Sequence, residues 1–160
     1  MYGLQRFGWK LRLDTMERLL NELGNPQDKF LSVHVGGTNG KGSVCCFVSS
    51  VLKEAGYRVG VYTSPHLHKF NERIVVDDDL ILDEEIISLV AQIKEVCEHE
   101  KLAVTFFEFT TALAFLHFAK RDIDIGVIEV GLGGKLDATN VIDPIVTCLT
   151  NVGSDHAHYL

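Results

Sequence analysis

The feature that most limits what this chain can become is a glycine-dense turn set between two apolar segments of different period. Val33-His34-Val35 closes a strand-like run, Gly36-Gly37-Thr38-Asn39-Gly40-Lys41-Gly42-Ser43 follows, and a helical pattern begins at Val44. Glycines at 36, 37, 40 and 42 let the backbone take left-handed angles and bring its N–H groups close to an anion. Lys41 adds a point charge at the positive end of the helix. Strand, loop and helix together read as a phosphate cradle, with Asn39, Gly40, Lys41, Gly42 and Ser43 as its expected contacts. The bland alternative is a glycine-rich strand-to-helix turn that holds no ligand.

The loop departs from the general pattern G-x-x-x-x-G-K-[ST]. Gly36 lies one residue too close to Gly40, and Gly42 follows Lys41, so the hydroxyl is delayed to Ser43. In the general pattern that hydroxyl holds Mg²⁺. A metal here needs another oxygen or nitrogen ligand, and three candidates sit at the carboxyl ends of expected strands: Ser64, Glu129 and His156. A carboxylate in the apolar run Gly126 to Val130 is costly unless paired or on a metal. Each has a plain alternative: Ser64 capping a turn, Glu129 paired with a lysine, His156 in solvent.

Around the loop, strand-like segments alternate with helical ones. Phe30–Val35, Arg58–Tyr62, Arg73–Val76, Ile123–Val130 and Ile145–Thr150 are rich in Val and Ile and bounded by Gly, Pro, Asn or Asp. Val44, Phe47, Val48, Val51, Leu52 and Ala55 share one helical face, with Gly56 as the stop. Asp83 is the expected N-cap of a second helix with a buried stripe of Ile86, Val90, Ile93 and Cys97. Glu108 to Ala119 is apolar on nearly every side and reads as a helix buried against a sheet. The fold class is α/β: a mostly parallel sheet with helices on both faces, in which ligands bind beyond the carboxyl ends of the strands.

Composition narrows the function. At 160 residues the chain is one domain, and its formal charge of −7 argues against a general nucleic-acid binder. No apolar stretch is long enough to cross a membrane, and Met1 to Arg12 has no run of signal-peptide length. Cys45, Cys46, Cys97 and Cys148 show no metal spacing and read as reduced core residues of a cytosolic protein. Seven histidines supply no four-ligand zinc set, and the phenylalanines lack interleaved basic groups for base stacking. The sequence stops at Leu160, inside a polar motif just past a strand, and reads as a fragment.

The segments GGTNGKGS (36–43), TSPHL (63–67), ERIVV (72–76), FFEFTTALAF (106–115), EVGLGGKLDATN (129–140) and TNVGSDH (150–156) carry a resemblance. In this order they resemble the folylpolyglutamate synthase and dihydrofolate synthase family of the Mur ligase superfamily. The resemblance implies a P-loop NTPase-like central ATPase domain over residues 1–160, with a C-terminal domain absent. It implies an ATP-dependent ligase, in which ATP activates a dihydropteroate or folate carboxylate and L-glutamate attacks the acyl phosphate. ATP is then a substrate and Mg²⁺ the cofactor, with two sites in the whole enzyme.

By the same resemblance, Ser64 and Glu129 match ligands of the first Mg²⁺ and His156 a ligand of the second. Lys41, Glu129 and His156 are the residues expected to carry catalysis. Asp14, Thr15, Met16 and Glu17, then Thr105, Phe106, Phe107 and Glu108, then Leu136, Asp137 and Ala138 match segments that line a pterin site. Thr15 stands where the family has a different residue, and Lys135 replaces a usual arginine, keeping charge but losing the planar fork. A cytoplasmic monomer that binds no nucleic acid and no membrane is expected. Two other readings stay open: a Mur-type ligase for another acid and amine, and a nucleotide-binding remnant without turnover, which is the expectation for these residues alone.

Overall fold

The computed structural model describes residues 13–153. Its centre is a six-stranded sheet in the order β4-β3-β2-β5-β1-β6. β1 (Leu31–Gly36) lies between β5 (Ile125–Glu129) and β6 (Val146–Leu149), and β5 pairs with β2 (Val59–Tyr62), all in parallel. β3 (Ile74–Val76) and β4 (Asp79–Leu80) extend the sheet antiparallel. The expected parallel sheet therefore holds for the four strands that flank the glycine loop. The Arg73–Val76 run departs from it, because a tight turn at Asp77 and Asp78, both at positive φ, folds the chain into a hairpin. Two residues of strand are too short to show period-2 alternation, which is why Asp79–Leu80 escaped a sequence reading.

Helices cover both faces, as the alternation along the strands requires. Val33 and Val35, Val59, and Ile125 and Val127 point to one face and meet Cys45 of α2 (Lys41–Glu54). Tyr62, Ile74, Val76 and Ile128 point to the other. There they pack with α1 (Asp14–Glu22), α3 (Asp83–His99) and α4 (Phe106–Lys120). α4 is buried from Glu108 to Phe118, as its all-round apolar sequence demands. Phe115 and Phe118 are fully buried, each contributing about 2–3 kcal/mol of transfer free energy.

Three local expectations are corrected. On α2 the buried residues are Cys45 and Ser49, flanked by half-buried Val44, Val48 and Leu52, whereas Phe47, Val51 and Ala55 are exposed. The helix is rolled so that its small residues meet the sheet, and the apolar count alone could not give that roll. Cys46 is likewise exposed rather than in the core. At α3 the flanking residue is Leu82, not Asp83, whose carboxylate instead accepts the Asn71 amide at 2.8 Å. Gly56, at φ 90°, does stop α2.

Candidate functional site

At the carboxyl end of β1 the chain turns through Gly37, Thr38, Asn39 and Gly40 into α2. Gly37 has φ 130°, and a Cβ there would lie 2.0 Å from the Thr150 hydroxyl, so only glycine fits. Gly40 precedes the helix in the left-handed region, and no side chain caps it. The opening N–H groups of α2, at Lys41, Gly42 and Ser43, are thus left for an anion. The Lys41 ammonium donates to the carbonyls of Gly37 at 2.8 Å and Thr38 at 3.2 Å. An ammonium has three donors, so one remains for a phosphate oxygen.

The loop is held by a segment more than a hundred residues away. The Thr150 hydroxyl donates to the Asn39 carbonyl at 2.7 Å, and the Asn151 side-chain oxygen accepts the Asn39 N–H at 3.0 Å. The Thr38 N–H donates to the Asn151 carbonyl at 3.0 Å, and the Gly153 N–H to the Thr38 hydroxyl at 2.9 Å. Sequence reasoning missed Thr38, Thr150 and Asn151 as loop-setting residues. For Thr150 and Asn151 the signal is the TNVG run just after the last strand; for Thr38 it is the loop itself.

Glu129, at the end of β5, is 5% exposed. One of its oxygens, Oε2, accepts the Ser64 N–H at 2.8 Å, and Oε1 lies 3.9 Å from where a Cβ on Gly42 would stand. Ser64, Glu129 and the start of α2 therefore converge. Burial pushes the Glu129 carboxyl above the usual carboxylate range, against the pull of the Ser64 N–H and of the charges on Lys41 and Arg73. Among the described residues no lysine pairs with it directly, and Lys41 acts on it only through its charge.

Arg73 was not singled out as a site residue, yet it is 8% exposed and belongs here. Its Nε donates to His66 Nδ1 at 2.8 Å and its guanidinium stacks 5.6 Å from the Phe106 ring centroid. The signal was a charged residue opening an apolar strand. His156 lies outside the described residues.

The remaining candidates separate. Thr105 and Glu108 form a capping box on α4: the Glu108 N–H donates to the Thr105 hydroxyl at 3.2 Å, and Glu108 Oε2 takes the Thr105 N–H at 2.6 Å. Glu108 Oε1 is buried and has no partner among the described residues. Phe106 lies under Arg73, and Phe107 packs tilted on Tyr62 at 6.1 Å. Asp137 and Ala138 are buried while Leu136 is exposed. On α1, Met16 is fully buried in the core, Thr15 half-buried, and Asp14 and Glu17 exposed. A cleft of about 390 Å³ runs between the phosphate loop and the 131–134 turn, lined by His34, Lys41, Gly131, Asn140, Thr147 and Asn151 among others.

A glycine loop at the head of a parallel sheet, facing a lone carboxylate from the neighbouring strand, is the arrangement of an α/β domain built to receive phosphates. The chain belongs to the Mur ligase family, whose middle domain matches residues 35–160. It is similar to the dihydrofolate synthase/folylpolyglutamate synthase of Bacillus subtilis (strain 168), at 46% identity over all of this chain and 38% of that protein. It is 46% identical to the folylpolyglutamate synthase of Lacticaseibacillus casei, over 89% of this chain and 34% of that one. Among solved structures, E. coli FolC in complex with DHPP and ADP superposes with a TM-score of 0.93 at 35% identity, covering 98% of this chain and 37% of that one. An FPGS-AMPPCP-folate complex superposes at 0.91 with 42% identity, covering 97% of this chain and 39% of that one. These likenesses match the resemblance read from the motifs. The chain spans little more than a third of the length of the relatives it matches.

Proposed function

We propose that this chain is the nucleotide-binding portion of an ATP-dependent ligase that joins L-glutamate to the carboxylate of dihydropteroate or a folate. The observation that carries the reading is the uncapped start of α2, with Lys41 across the loop and the Ser64–Glu129 pair beside Gly42. ATP phosphates fit the N–H groups from Lys41 to Ser43. A carboxylate oxygen of the acid attacks the γ-phosphorus, ADP leaves, and an acyl phosphate forms. The amine of glutamate then attacks the acyl carbon, an amide bond forms, a proton is released and inorganic phosphate departs. This chain's contribution is to place the γ-phosphate, hold charge beside it and position the acid.

The donor set fits a hard divalent cation. Mg²⁺ takes oxygen ligands and is bound through one or two carboxylates together with substrate phosphates. The Glu129 Oε1, which no described group hydrogen-bonds, and the Ser64 hydroxyl suit it. Mg²⁺ would there neutralise charge between the outer phosphates. His156 is proposed for a second site completed by residues beyond this chain, and a further domain is proposed to hold the glutamate. The pterin-site assignments of 14–17, 105–108 and 136–138 belong to the same proposal, as do a cytosolic location and a monomeric state.

The test is ADP formation by the polypeptide that carries this segment together with the remaining length seen in its relatives. ADP release that needs both glutamate and dihydropteroate or folate supports the reading. Release driven instead by a cell-wall precursor acid would assign a different Mur-type substrate. The 160-residue chain by itself is expected to bind Mg²⁺·AMPPCP, seen as a rise in melting temperature, and to turn nothing over.

A further inference from the structure

We propose that His34 is a positioning residue that ties the 131–140 loop to the strand carrying the phosphate loop, through Thr139 and Asp137. It sits in the middle of β1, where its neighbours across the ladder are Ile128 and Thr147, and it is 5% exposed. A strand position this deep favours an apolar side chain, and a buried ring nitrogen is costly unless hydrogen-bonded. The bond it makes is long-range: His34 Nε2 lies 2.8 Å from the Thr139 hydroxyl.

The direction of that bond follows from proton counting. Asp137 accepts the Leu132 N–H at 2.7 Å, the Thr139 N–H at 2.9 Å and the Thr139 hydroxyl at 2.5 Å. The Thr139 hydroxyl has one proton, and it goes to the carboxylate. Its lone pair must therefore receive a proton from His34, which fixes the Nε2–H tautomer. Burial lowers the His34 pKa, opposed by the Asp137 charge, so the ring is neutral at neutral pH and needs only that one donor.

Asp137 and its neighbours set more than their own loop. A Cβ on Gly131 would stand 2.4 Å from the Phe107 ring and 3.0 Å from Asp137 Oδ2, so loop, ring and carboxylate are mutually packed. Two residues after His34, β1 ends at Gly36 and passes into the loop proposed to hold the phosphates. One buried ring thus registers the phosphate loop against the 131–140 loop, which carries Leu136, Asp137 and Ala138 of the proposed pterin site. This deepens the ligase reading and rests on it for the identity of the acid.

The test compares the 160-residue chain with His34→Leu, Thr139→Val, the double variant and His34→Gln, whose amide can restore a donor near Nε2. Amide exchange at Leu132 and Thr139 is expected to rise about tenfold in His34→Leu while amides of α2 hold, and His34→Gln should recover most of it. Titration with dihydropteroate should weaken about tenfold while Mg²⁺·AMPPCP affinity stays within about twofold. The double variant should be no worse than the weaker single. Unchanged exchange at Leu132 and Thr139, no rescue by glutamine, or equal loss of both ligands would overturn the proposal. If the parent chain binds neither ligand, the exchange data and the glutamine rescue alone decide the role of His34, while the ligase reading stands or falls on ADP release by the longer polypeptide.

Discussion

Two helices begin on the site side of the sheet, and their first turns are built in opposite ways. α4 closes its own N-terminus: Thr105 and Glu108 satisfy each other's backbone N–H groups within four residues. α2 leaves its first turn open, entering through Gly40 with no capping side chain and with its lysine folded across the loop. A helix that needs only to be stable caps itself, whereas one that must receive an anion keeps its donors free. Thr105 and Glu108, matched to a ligand site by resemblance, thus have a structural task that accounts for most of their polar atoms. Glu108 Oε1 and the proton of the Thr105 hydroxyl are what those bonds leave over among the described residues.

The sharpest way to break this contrast is Lys41→Ala, which should weaken Mg²⁺·AMPPCP binding by about 2–3 kcal/mol, as expected for a charge-assisted bond to phosphate. Lys53, farther along the same helix and paired with Asp78 on the surface, is the control and should leave affinity unchanged on substitution by alanine. Calorimetric titration of both variants decides it, and equal losses would mean that the loop is not the phosphate site.

The converse holds for α4. Thr105→Ala should cost about 1 kcal/mol of folding stability, read from a denaturant midpoint, with nucleotide affinity untouched. Loss of affinity without loss of stability would instead make Thr105 a ligand contact first.

The smallest effect concerns the carboxylate that faces the open helix. With its pKa raised in the folded state, Glu129 contributes stability that is fully present below the unfolded value and lost as pH rises through the folded one. Glu129→Gln keeps an acceptor for the Ser64 N–H and removes that loss. Without Mg²⁺, its melting temperature should exceed the parent's by a few degrees near pH 7, the gap closing toward about pH 4. A gap of opposite sign would show that Lys41 and Arg73 outweigh burial.

Legibility from sequence followed the range of the interaction. The glycine loop, the strand before it and the helix after it are neighbours in the chain, so composition and period revealed them together. Ser64 and Glu129 could be singled out because a hydroxyl was missing after Lys41 and a charge stood in an apolar strand. The roll of α2, which exposes Phe47 and Val51 and buries Ser49, depends on what the sheet offers it and left no local trace. The Arg73–His66 contact and the His34–Thr139–Asp137 chain each join residues of ordinary type, and nothing short of the fold pairs them.

The hold of Thr150 and Asn151 on Asn39 spans 111 and 112 residues. During synthesis at about 5–20 residues per second, the loop waits roughly 5–20 s for the segment that shapes it. β1 and α2 emerge early, but the turn between them has no means of fixing its final form until β6 has zipped alongside β1. The nucleotide grip proposed for this loop therefore matures late, when nearly all of the sheet is already in place. A chain stalled part-way would carry the loop's letters without its grip.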